Sequence, residues 1–246
     1  METYYDTAAR HPRCLLAVDA TDGGKWKSSF NEKYVMPTAP TGGGNFEETH
    51  GLLTKINVEI ENNYFKYTTN GIGYIETPLD LRGYSGDFTM IAKALLTKNE
   101  IAGTVRKEAF FIQGNLNYSN GSFVFFILLA TSTNRYELNF YVQNSSNSTI
   151  MINYTIPNDF DWTMPHVFAV NYVATLKKFS FCIEGEIVSV FTKDTFDRFY
   201  NGVDSKNKLF YKMNNVAANA MKQYNAMFFD RALSADEIKI LSNDLN

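Results

Sequence analysis

Glu59 and Glu61 stand two residues apart, and so do Glu184 and Glu186. Retaining glycoside hydrolysis draws on two carboxyl groups about 5 to 5.5 Å apart, one as acid and one as nucleophile. The surroundings of both pairs argue for a plainer role. Asn62-Asn63 follows the first pair as a hairpin turn, and Gly185 sits inside the second at another, so these acids read as solvated strand or turn residues. A Ser or Cys nucleophile needs a histidine, and the histidines are His11, His50 and His166. His166 falls in a segment with Trp162 that reads as structural, and His50 follows Glu47-Glu48 in a loop. No H-E-x-x-H or G-x-S-x-G pattern occurs, and Gly42-Gly43-Gly44 lacks the Lys and Ser or Thr of a phosphate loop. No catalytic residue is assigned, and the chain is not expected to be an enzyme.

Cys14 and Cys182 are too few for a disulfide framework or a four-ligand zinc site. Alternation puts Cys14 in step with Leu16 and Val18, while Cys182 is out of step with Phe179, Phe181 and Ile183. The two are therefore expected to be buried free thiols on different faces. Sequons begin at Asn117, Asn120, Asn144, Asn147 and Asn153, and they are read as a product of Asn-rich composition.

Recognition chemistry is better represented. Sugar C–H faces stack on aromatic rings while hydroxyls need fixed amide or acid partners. Trp26 in a long loop, Tyr118 with Asn120, and Tyr200 with Asn201 have that makeup, and these five are the candidate ligand-binding residues.

The elements that position them are strands. The 246 residues are 45% hydrophobic and 15% aromatic, with a net charge of −3, which excludes a disordered chain. Lys and Arg are scattered, which argues against a nucleic-acid partner. The longest apolar stretch, Phe123 to Ala130, is too short for a membrane-spanning helix. Met1-Glu2-Thr3-Tyr4-Tyr5-Asp6 lacks the basic start and apolar run of a secretory leader. Period-two alternation predicts strands at 14–19, 52–60, 64–68, 72–77, 87–97, 108–114, 123–131, 136–143, 149–156, 166–172, 178–190 and 221–229. A long loop runs from 20 to 50. After Phe229 the period becomes helical, and Ser234-x-x-Glu237 is a capping box. The expected fold is all-β, a two-sheet antiparallel jelly-roll sandwich with a short C-terminal helix. Residues 1–11 form an N-terminal arm whose Tyr4 and Tyr5 could pack on a partner, and residues 12–246 form one domain.

Four segments resemble the laminin G-like branch of the concanavalin A-like lectin and glucanase superfamily. They are Gly71-Ile72-Gly73-Tyr74-Ile75-Glu76-Thr77-Pro78, then Asp87-Phe88-Thr89-Met90-Ile91-Ala92. Trp162 with the 166–186 stretch is the third, and Phe229-Asp230-Arg231-Ala232-Leu233-Ser234-Ala235-Asp236-Glu237-Ile238 is the last and most specific. The chain departs from the pattern at Glu184, where Asp is usual, and in the long 20–50 loop. The catalytic E-x-D-x-x-E of the laminarinase-type relatives is missing, since Asn62-Asn63 follows Glu59-Ile60-Glu61. The resemblance implies a non-catalytic binding or adhesion module for glycan or protein surfaces. The alternative is an assembly component such as a phage head-decoration or tail-appendage protein, forming a virion or homo-oligomeric assembly. The expected location is a virion or the extracellular space. No resident metal is assigned, although calcium sites occur in the superfamily and Asp19 and Asp22 lie near the ends of the long loop.

Overall fold

The computed structural model describes residues 14–20, 25–27, 50–52, 54–69, 71–77, 79–96, 107–113, 123–130, 135–200, 207–212 and 221–244. Within them two antiparallel sheets face each other, with strands numbered in chain order. The larger sheet runs β15 (Glu186–Thr192), β14 (Lys178–Ile183), β13 (His166–Val173), β8 (Phe88–Leu96), β17 (Met221–Phe229), β1 (Cys14–Asp19), β2 (Lys25–Lys27) and β3 (His50–Leu52). β6 (Tyr64–Tyr67) adds to β17 beyond the end of β1, and β5 (Val58–Glu61) adds to β6. The smaller sheet runs β12 (Thr149–Thr155), β11 (Arg135–Gln143), β10 (Phe123–Ala130), β9 (Lys107–Gln113), β16 (Asn207–Lys212), β7 (Gly73–Glu76) and β4 (Thr54–Ile56). One helix, α1 (Ala235–Asp244), follows β17. The all-β sandwich with a short C-terminal helix is as the sequence predicts.

Alternating inward residues of both sheets make one aromatic core. Phe110 on β9 stacks on Phe168 of β13 at 5.4 Å, and Phe125 on β10 stacks on Phe181 of β14 at 6.3 Å. These pairs bridge the two sheets with the offset geometry that aromatic rings favour. Phe88 sits among Phe140, Tyr172, Phe199 and Phe228.

A second, smaller core lies on the outer face of the larger sheet. Leu233, Ile238 and Leu241 pack there against Ile91, Val167, Ala169, Met227 and Phe229. The capping box forms as predicted. The Glu237 amide donates to Ser234 Oγ at 3.2 Å, and the Ser234 amide donates to Glu237 Oε2 at 2.8 Å. Arg231 Nη2 also donates to Glu237 Oε1 at 2.5 Å. That hydrogen bond, with the two from Ser234, outweighs partial burial and holds the Glu237 carboxyl at about 2.

Local departures from alternation explain three differences from the sequence reading. The run at 52–60 is divided between sheets, because Asn57 turns the chain at φ 51° between β4 and β5. Its Nδ2 donates to the Ile72 carbonyl at 2.8 Å. β16 escaped the reading because Phe210 has φ 49°, which sends both Leu209 and Phe210 into the core and erases the period. The third concerns the cysteines. The register of β1 shifts between Cys14 and Leu16, and this bulge moves Cys14 to the outer face. Cys14 and Cys182 therefore share the core beneath α1, against the expectation of different faces. Both are buried free thiols, and burial pushes the Cys182 thiol up to about 11 and that of Cys14 higher.

Candidate functional site

Several chain segments meet at one end of the smaller sheet. β9 ends at Gln113, which pairs with Phe123 at the start of β10 and with Asn207 at the start of β16. β11 ends beside them at Gln143. Across this end runs the segment 79–86, held by buried polar groups. Asp80 accepts from Gln113 Nε2 at 2.6 Å and from Arg82 Nε and Nη2 at 2.9 and 2.6 Å. Gln113 Oε1 accepts from the Leu81 amide at 2.9 Å. Thr77 Oγ1 donates toward the Asn207 carbonyl at 3.3 Å and Oδ1 at 3.4 Å. Asn207 is fully buried and, among the described residues, its Nδ2 meets no hydrogen-bond partner.

The turn 144–148 and the segment 193–200 complete the rim. Asn144 Nδ2 donates to the Thr195 carbonyl at 2.9 Å, and the Ser145 amide donates to Asp197 Oδ1 at 3.1 Å. Ser145 Oγ also donates to Asp197 Oδ2. Burial raises the Asp197 carboxyl, but these donors more than offset it, and the net shift is downward. Phe196 and Phe199 sink into the core and fix the segment. The half-buried Tyr200 follows, its amide donating to the Gln143 carbonyl at 2.9 Å. Guanidinium, carboxylate and amide groups thus gather where strands end, with Tyr200 on the neighbouring segment, a donor and acceptor set suited to a hydroxylated or acidic ligand.

Of the predicted binding residues, Tyr200 lies on this rim. Tyr118, Asn120 and Asn201 lie outside the described residues. The strand ends that flank Tyr118 and Asn120, Gln113 and Phe123, are paired with each other, and Asn207 is paired with Gln113 as well. Trp26 lies in β2 of the other sheet, opposite Val18 and Gly51. Sequence reasoning missed Asp80, Arg82, Gln113 and Asn207. The one available signal was the polar Asp80 and Arg82 interrupting Leu79 and Leu81.

The acids first considered for catalysis serve the scaffold. Lys66 bridges Glu61 at 2.5 Å and approaches Glu59 at 3.9 Å. Glu184 occupies the β14–β15 turn at φ 51° and accepts from the Val167 amide at 3.0 Å and from His166 Nδ1 at 2.9 Å. His166 Nε2 donates to the Asp161 carbonyl. Both contacts favour the doubly protonated ring, which donates from each nitrogen. Among the described residues no group of three or more His, Cys, Asp or Glu gathers as a metal site, and Asp22 lies outside them.

This histidine gives the fold a pH dependence. Burial pulls the His166 pKa down, but the Glu184 hydrogen bond and the Asp161 carbonyl outweigh it, and the net value lies above 6.5. The folded value exceeds the unfolded one. The clamp's contribution is therefore complete below about pH 6.5 and is lost as pH rises through the folded value. Melting temperature should fall across that window in the native protein and show a flatter profile in His166→Gln. Identical profiles would contradict the clamp.

No family model and no curated relative matches the sequence. Solved structures share the fold. The botulinum neurotoxin serotype D ligand-binding domain in complex with N-acetylneuraminic acid matches with TM-score 0.60 and 10% identity, over 94% of this chain and 50% of that one. The binding domain of botulinum neurotoxin DC in complex with rat synaptotagmin II matches with TM-score 0.61 and 16% identity, over 95% and 52%. The binding domain of Paraclostridial Mosquitocidal Protein 1 gives TM-score 0.59 and 13% identity, over 95% and 52%. The chain has the fold of part of toxin receptor-binding domains and spans about half the length of these structures.

Proposed function

We propose that the chain is a non-catalytic binding module of the laminin G-like type that recognises glycan or protein surfaces at the Gln113, Tyr200 and Asn207 end of the sandwich. The observation that carries this reading is a fold match over 94–95% of the chain to domains that bind N-acetylneuraminic acid or synaptotagmin II. Those ligands belong to domains about twice this length, so the site here rests on its own chemistry. Arg82, paired with Asp80 at 2.6 Å, brings a guanidinium–carboxylate pair to the rim. Tyr200 supplies a ring face, and Asn207 a buried amide at the end of β16. Tyr118, Asn120 and Asn201 extend the same site in this reading, while Trp26 lies in β2 of the other sheet. The assembly alternative gains no support from the three structures named above, which are binding domains.

A glycan array that includes sialylated and neutral glycans tests the proposal. Binding to a defined glycan class should drop about tenfold in Tyr200→Ala, the loss of roughly 1.4 kcal/mol, with melting temperature unchanged. Binding that is indifferent to Tyr200 would place the site elsewhere.

A further inference from the structure

β12 is the outermost strand of the smaller sheet, and among the described residues it pairs with β11 alone. Its register with β11 is unbroken from Thr149 opposite Gln143 to Thr155 opposite Glu137. The hydrogen-bond phase follows from both ends. The Ile156 amide donates to the Tyr136 carbonyl at 2.8 Å, and the Asn144 amide donates to the Ser148 carbonyl at 3.1 Å. Antiparallel alternation then turns the main chain of Ile150, Ile152 and Tyr154 toward β11. The N–H and C=O groups of Thr149, Met151, Asn153 and Thr155 point away from it.

Natural edge strands are blunted by charges, prolines or bulges. β12 has none of them. No charged residue occurs between Asn144 and Asn158, and the first proline is Pro157, beyond the strand. Thr149, Met151, Asn153 and Thr155 are all exposed, Met151 at 48%. Among the described residues the edge is uncharged and unpaired for its whole length.

We propose that this edge pairs with β12 of a second copy of the chain, antiparallel about a two-fold axis at Ile152. That register uses all seven residues and sets edge-facing residues against edge-facing residues. Met151 lies opposite Asn153 of the second copy, and Thr149 opposite Thr155. On the inner face Ile152 meets Ile152, and Ile150 meets Tyr154, so the rim of each core is continued by the other. The strand carries no charge, so a two-fold axis brings no like charges together on it. The area sets the strength. Seven residues span about 24 Å, and with the adjoining β15 edge about 10 Å behind the contact buries on the order of 600 Å² in total, below the roughly 1,200 Å² of stable complexes. The dimer is weak, reversible and concentration-dependent.

Sedimentation velocity of the full chain from about 10 µM to about 1 mM, a range suited to a contact of this size, should show a monomer–dimer equilibrium. Asn153→Pro removes an amide that points away from β11 and should abolish the dimer with melting temperature retained. Met151→Lys places a charge on the same edge and should do the same; it decides the matter if the proline variant is destabilised. A protein that stays monomeric throughout overturns the proposal, even if the two variants lose binding to some other protein. A dimer that persists in both variants overturns it equally.

Discussion

Replacing Gly185 with alanine is expected to destabilise the protein by about 3–4 kcal/mol, well above a typical point substitution, and to release the C-terminal helix from the sheet. Two effects combine at this position. Gly185 has φ +75°, and a residue with a side chain held in that region costs about 1–3 kcal/mol. A Cβ there would also stand 2.4 Å from Lys239 Cα and 2.8 Å from Lys239 N. These are backbone atoms of α1, so no rotamer change relieves the clash. The hairpin and helix are further tied by Lys239 donating to Glu186 at 2.6 Å, and the preceding Glu184 holds the His166 clamp. Chemical denaturation measures the loss, and hydrogen exchange across 235–244 reports release of the helix. A loss under about 1 kcal/mol, the ordinary mean, would contradict this packing.

Leu233→Ala should cost about 2–5 kcal/mol. Leu233 is 2% exposed and packs beneath α1 with Ile238 and Leu241. Its backbone is fixed on both sides, since its amide donates to Thr89 Oγ1 at 3.0 Å and its carbonyl accepts from Asn171 Nδ2 at 2.9 Å. Thr89 and Asn171 are themselves opposed on β8 and β13, and Thr89 Oγ1 lies 2.9 Å from Asn171 Oδ1. The backbone therefore cannot collapse into the space that the missing side chain leaves. Equilibrium denaturation showing less than about 0.5 kcal/mol, a surface-like value, would refute the placement.

The residues that carry period and capping were legible in the sequence. Ser234 and Glu237 announced the helix start, and Phe179 and Phe181 announced an inward face, because those signals are local. What stayed hidden depends on single breaks in phase. The bulge beside Cys14 exchanges its face, Asn57 passes the chain from one sheet to the other, and Phe210 conceals β16. The candidate site was half legible for a related reason. Tyr200 stands out as an aromatic beside an amide, but Asp80, Gln113 and Asn207 meet only through sheet order. Gln113 and Asp80 are 33 residues apart in the chain and 2.6 Å apart in space.

The most direct test of recognition without catalysis is saturation-transfer NMR of the full-length protein with a sialylated oligosaccharide, followed over many hours. The account predicts transfer to the sugar that weakens in Tyr200→Ala and in Arg82→Gln, with the oligosaccharide recovered intact. Transfer unchanged in both variants, or turnover of the sugar, would contradict it.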